Sequence, residues 1–241
     1  MKKFFTFIPV FILFFPLAAH ADISFVGSNS AEATTVTIPA HQAGDLIIMF
    51  AYRDGSATVP TQPAGWVTIQ GGAGANTNAA RMGWQIATSS STSSGTWTSA
   101  TELIVLIYRG INKTTPVGGS AETGNTGSTV TYPAVTMVDA SGNSWVVGAA
   151  GHRSINTTIE TPPSGMINRV DQAGATAEAA AHDTNGGVTG WSGTNVSVGG
   201  TSSGWRSITV ELLVDPPPRG IRIFEGFVLK LISGTIKLFG R

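Results

Sequence analysis

Apolar and polar residues alternate along most of this chain in short runs, broken by Gly, Ser, Thr, Asn and Pro. The segments "DLIIMFAY", "ARMGWQIA", "ELIVLIYR", "TVTYPAVT", "SWVVGAAG" and "WRSITVELLV" predict strands, because side chains two residues apart share a sheet face. The stretches "SSSTSSG" and "GGTSSG" predict loops. "AEAAAHD" (177–183) has a helix-forming composition, but it is short and flanked by glycine, so it too is expected as a strand. No convincing helix stands between Asp22 and Asp215. Many short strands at this spacing predict an all-β protein, an antiparallel, jelly-roll-like β-sandwich spanning residues 22–215.

The pattern is written twice. "TVTIPA" (35–40) recurs as "TVTYPA" (129–134), and "GDLIIMFAYRDGSATVPTQPAGW" (44–66) lies without a gap over "SWVVGAAGHRSINTTIETPPSGM" (144–166). In that register Arg53 meets Arg153, Pro63 meets Pro163 and Gly65 meets Gly165. Downstream, "ELIVLIYR" parallels "SITVELLV". Each half, of five or six strands, is too small to bury its apolar faces alone, so the two are expected to share one core.

The two ends depart from this pattern. At the start, Lys2 and Lys3 precede an apolar run over residues 4–18 and then Ala19-His20-Ala21. That order matches a signal peptide over 1–21, cleaved after Ala21, and implies an exported protein, secreted or held at a cell surface or virion. An uncleaved anchor is the competing reading, although the run is short of the roughly 20 residues a span needs. At the other end a Pro-rich linker (216–220) leads to "IRIFEG", "LKLISG" and "IKLFGR". Each copy reads apolar, basic, apolar, apolar, then a turn with Gly, which predicts short strands. The alternative is a basic amphipathic helix lying on an anionic membrane surface. Interior glycines, each costing about 1 kcal/mol in a helix, weigh against it. Ile221, Ile223, Phe224, Phe227, Leu229, Leu231, Ile236, Leu238 and Phe239 make 221–241 too apolar for its length unless it docks on something. It is expected to attach the protein or assemble it with itself.

Charge sharpens this division. The 241-residue chain is neutral overall, yet residues 22–215 carry seven Lys and Arg against thirteen Asp and Glu, whereas Pro216–Arg241 carries five against one. An acidic body repels phosphate, so no nucleic-acid partner is expected. The chain has no cysteine, which removes disulfides, thiol catalysis and thiolate metal sites.

Candidate chemistry is sparse. "GTSSG" (200–204) has G-x-S-x-G spacing around Ser202, but that motif needs a strand-to-helix elbow and here leads into a strand. His41, His152 and His182 lack metal-site spacing, so no metal and no cofactor are expected. Asp45, Asp54, Glu102 and Glu160 are available to a hydrolase only if two converge across a cleft, which sequence does not reveal. No catalytic residue is therefore assigned. The internal repeat does place Tyr52, Arg53 and Asp54 at the strand end equivalent to His152 and Arg153. With Trp66 they form a candidate ligand-binding group, since a ring beside an Arg can stack on a sugar or bind a carboxylate. The competing reading is that the Args mark where buried strands meet water. Trp84 and Trp145 are expected in the core, and Trp66, Trp97, Trp191 and Trp205, beside Gly, Ser and Thr, are candidates for exposure.

The order "AGDLIIMFAYRDG", "PAGWVTI", "ARMGWQIA", "LIVLIYRGI", then "VTYPAVTM", "SWVVGAAG", "PPSGMINRVD", "AEAAAHD" resembles a domain of exported bacterial surface proteins and of bacteriophage virion or tail proteins. The resemblance runs from Ile23 to Val214 and rests on structural motifs. It implies a jelly-roll-like sandwich and a role in display, adhesion or virion decoration, with no catalytic residues to carry over. Two functions are thus expected in turn: an exported structural or adhesive protein, or a soluble carbohydrate-binding module. A secreted hydrolase ranks third.

Overall fold

The structure, a computed structural model, describes residues 22–74, 78–153, 161–175, 177–198, 204–215, 227–232 and 235–240. The signal segment with Ala21, the linker, Ile221, Ile223, Phe224, Glu160 and Ser202 lie outside the described residues. The chain divides into two units, one of them Ala21–Asp215.

That unit is an all-β sandwich. The first half supplies β1 (Ser24–Ala31), β2 (Leu46–Arg53), β3 (Val67–Gly74), β4 (Asn78–Ile86) and β5 (Glu102–Arg109). They form one antiparallel sheet in the order β1-β5-β2-β4-β3. The second half supplies β6 (Val117–Asn125), β7 (Thr129–Tyr132), β8 (Trp145–His152), β9 (Ile167–Ala173), β10 (Glu178–Asp183), β11 (Thr194–Ser197) and β12 (Trp205–Leu212). Its main sheet runs β6-β12-β8-β10-β9, and β11 pairs with β7. Substituting β6, β8, β9, β10 and β12 for β1 to β5 turns one order into the other. The two halves do not interleave: each contributes one whole sheet.

Across the sandwich β2 lies over β8, β5 over β10, β4 over β12, β1 over β9 and β3 over β6. Exchanging the halves maps this set onto itself, so a pseudo-two-fold axis passes between β2 and β8. The shared core follows from the period of two. Leu46, Ile48, Phe50 and Tyr52 from β2 meet Trp145, Val147 and Ala149 from β8, with Ile104, Leu106, Ile208 and Val210 beside them. Ile47, Met49 and Ala51 point outward, where Val36, Ile38, Trp66 and Trp97 cover them. Val130, Tyr132, Val196 and Trp205 cover the outer face of the second sheet. Central strands buried on both faces are why β2 and β5 read as unbroken apolar runs.

The equivalence reaches small features. Gly65 and Gly165 both hold positive φ, 91° and 86°, in the Pro-x-Gly turn before β3 and β9, a conformation that favours glycine. Two residues on, Val67 and Ile167 are two of the few exposed large apolar side chains among the described residues. A register shift falls at Ile69 in β3 and at the matching Arg169 in β9. One correspondence differs from the sequence alignment. Inward Tyr52 corresponds to inward Gly151, not to outward His152; Tyr52 pairs with Glu102 and Gly151 with Arg206, so Glu102 matches Arg206, not Ser207. An offset of one residue moves each side chain to the other face, but strands buried on both faces read as unbroken apolar runs, so the pattern alone does not reveal it.

The tail is a hairpin of β13 (Phe227–Ile232) and β14 (Thr235–Gly240), strands and not a helix. Its ladder runs from Phe227 opposite Gly240 to Ile232 opposite Thr235 without a register shift, with Lys230 opposite Lys237. Leu229, Leu231, Ile236, Leu238 and Phe239 lie on this ladder.

Candidate functional site

The candidate residues gather at one end of the sandwich, where β2 and β8 finish. Tyr52 points inward from β2 and is fully buried; its hydroxyl donates to the Gly204 carbonyl of the other half at 3.2 Å. A side chain on Gly151 would strike the Tyr52 ring, so β8 carries a glycine where the rings of one half lie on the backbone of the other. Burial, followed by the Asp54 charge, pushes the Tyr52 phenol well above its usual range. Arg153 pairs with Asp54 across the halves. The Asp54 amide donates to Thr101 Oγ1 at 2.9 Å, and that hydroxyl donates to the Tyr52 carbonyl at 3.1 Å. His152 is fully buried with Nε2 3.5 Å from a Glu178 oxygen.

Arg53, one residue on, faces the outer side of its sheet, and its Nε finds no hydrogen-bond partner among the described residues. Trp66 is not with this group. It lies buried in the outer core, edge-on to Trp97 with ring centroids 5.1 Å apart. The exposure expected for Trp66, Trp97, Trp191 and Trp205 is not found. Trp97 and Trp205 are buried, and half-buried Trp191 packs on the second outer core with its indole N–H donating to the Pro133 carbonyl. Among the described residues, the buried rings of Trp66, Trp97 and Trp205 offer no face at the surface beside Arg53 or Arg153.

Glu102, with two carboxylates and an arginine that the sequence did not single out, completes this end. Arg206 on β12 reaches Glu122 at 3.0 Å and donates to the Ala73 carbonyl of the other half at 2.9 Å. Glu32 accepts the Ala175 amide at 3.2 Å, again between halves. Glu102, 1% exposed, has neither carboxyl oxygen hydrogen-bonded among the described residues. Burial first, then the charges of Glu32, Asp54 and Glu178, push its carboxyl up to about 8. Only strand pairing shows that Glu102 and Asp54, far apart in sequence, converge.

The opposite end is stitched in the same manner. The Tyr108 hydroxyl donates to Asp183 at 2.9 Å, and Arg169 forks onto that carboxylate at 2.7 and 2.9 Å while lying 4.1 Å over the Phe25 ring. Asp45 takes a bidentate contact from Arg109 at 2.8 Å and the Gln42 amide at 2.9 Å. Burial works to raise the Asp45 carboxyl, but these donors outweigh it and hold it below its usual value. Arg153 with Asp54 at one end and Tyr108 with Asp183 at the other bridge the halves, whereas Asp45 with Arg109 lies within the first half. Among the described residues no three His, Asp or Glu side chains converge as metal ligands. The surface hollows are shallow: a groove of about 380 Å³ beside His41, Gln85 and Ser89 and one of about 430 Å³ beside Asn29 and Thr37, both on the first half.

No family model matches the chain, and neither the curated proteins nor the solved structures contain a match.

Proposed function

We propose that this is an exported structural or adhesive protein, in which the sandwich is the displayed part and the C-terminal segment attaches or assembles it. The observation that carries this reading is the contrast between the sheet edges. β1, β3, β6 and β9 are the edges of the main sheets, and the ladder of each contains a register shift, at Val26, Ile69, Gly118–Gly119 and Arg169. Such bulges twist an edge away from further pairing. Glu211 accepts the Gly119 amide at 2.9 Å, together with the Val138 and Asp139 amides, so the Gly119 amide freed by the β6 bulge is already occupied. The hairpin β13–β14 has an unshifted ladder and, among the described residues, no third strand. A lone hairpin is marginal in water and gains stability when another strand completes its sheet.

The basic apolar sequence of the tail and the signal-like start support the same reading. The sandwich resembles domains of bacterial surface and phage virion proteins in its motifs, and display on a cell or particle is the finer form of the proposal. No cofactor or catalytic step is part of it.

Light scattering tests it. The chain starting at Asp22 is compared with the same chain ending at Asp215. Oligomers formed only by the longer chain support assembly through the tail. Two compact monomers contradict self-assembly, and binding of the longer chain alone to anionic vesicles then makes the segment a membrane attachment.

A further inference from the structure

Glu102 is out of place by the standard of its own fold. The equivalent position in the second half is Arg206, so the architecture does not need an acid there. Yet Glu102 is buried without a hydrogen-bond partner among the described residues, and it reaches from β5 of the first half to the β9–β10 turn of the second. Its Oε1 and the Ala177 carbonyl oxygen crowd the same point above Gly174. The neighbouring Ala175 amide is held by Glu32 from the end of β1.

We propose that Glu102 is a proton-operated latch between the two halves: protonated, it lets the backbone at Gly174, Ala175 and Ala177 seat on the first half, and ionised it expels them. The charged groups around it explain why. The negative charges of Glu32 after β1, Asp54 after β2 and Glu178 on β10 all act on it. The nearby cations are engaged elsewhere, Arg153 with Asp54 and Arg206 with Glu122, while His152 on β8 stands against Glu178. Tyr52, opposite Glu102 in the ladder, is itself held neutral by burial. Among the described residues an anion at Glu102 therefore feels three carboxylates and finds no donor, whereas a neutral carboxyl meets only crowding.

The sign follows from burial. The folded state holds the Glu102 proton up to about pH 8, whereas an unfolded Glu releases it near 4.5. Between these values the folded state binds more protons, so stability falls as pH rises through that window. The protein is then tightest in mildly acidic surroundings and looser in alkaline ones.

The test uses the full chain. Thermal midpoints are recorded from pH 5 to 9.5 for the wild type and Glu102→Gln, with hydrogen exchange at Ala175 and Glu178 corrected for its intrinsic pH dependence. The wild type should lose midpoint temperature and protection at this turn as pH rises past 7. The Gln variant should keep both and exceed the wild type above pH 8. Equal slopes in the two proteins overturn the proposal. The carboxyl carbon shift of Glu102, followed by NMR in the wild type, decides even if the variant folds poorly: a midpoint near 4.5 overturns it, and one well above 6 supports it.

Discussion

The sandwich and the C-terminal hairpin solve the same problem in opposite ways. Every main-sheet edge of the sandwich is interrupted by a bulge, and β7 and β11, which pair with each other, are four residues long. The hairpin is six unshifted pairs with nothing beyond them among the described residues. One region spends sequence on refusing partners, and the other leaves its backbone open to them. On the proposed function, stability and association reside in separate parts of this chain, so mutations should affect them separately.

The largest test of that separation lies in the outer core. Trp97 is fully buried against Trp66, and Trp97→Ala should cost about 3–5 kcal/mol. Chemical denaturation of the chains with and without residues 216–241 should show the same loss in both. A loss seen only in the longer chain would mean that the tail helps to hold the body.

A smaller effect concerns acid. His182, buried edge-on to the Tyr132 ring, is pushed down to about 4 by burial. The unfolded state binds its proton from about pH 6.5 downward, so the body should lose stability as pH falls from 6.5 to 4, by about 3 kcal/mol at most. His182→Leu should flatten that limb in thermal melts, and mass at neutral pH should not change. An unaltered acid limb would show that His182 is charged in the folded state.

The smallest effect is expected at the body's exposed apolar residues. Val67→Lys with Ile167→Lys should shift stability by no more than about 0.5 kcal/mol per site and leave the mass unchanged. Dissociation of an oligomer by this pair would move the interface from the tail to the body.

Much of the fold was legible because strand periodicity survives in short apolar runs. The "AEAAAHD" segment reads correctly as β10 once its length outweighs its composition, and the match of 44–66 with 144–166 anticipates two sheets of identical order although it runs one residue out between β2 and β8. The pairing of Tyr52, Arg53 and Asp54 with His152 and Arg153 anticipates that these strand ends meet, and Asp54 and Arg153 do pair. Three things were hidden for physical reasons. Trp66 and Trp97 look exposed because their sequence neighbours are polar, but each sheet carries an outer core under its own loops. The Glu102 cluster is assembled by strand pairing within one half and facing across the two, and neither leaves a local signature. The bulges that blunt the edges add one or two residues to a ladder and leave the apolar pattern almost intact.

The central claim is that backbone pairing by the hairpin carries association. Leu229 and Leu238 lie opposite each other in its ladder, and a proline at either position removes an amide donor and fits poorly within a strand. The decisive measurement is the solution mass of full-length Leu229→Pro and Leu238→Pro beside the wild type. The account predicts an oligomeric wild type and monomeric variants with unchanged melting of the body. Variants that keep the oligomeric mass would contradict it.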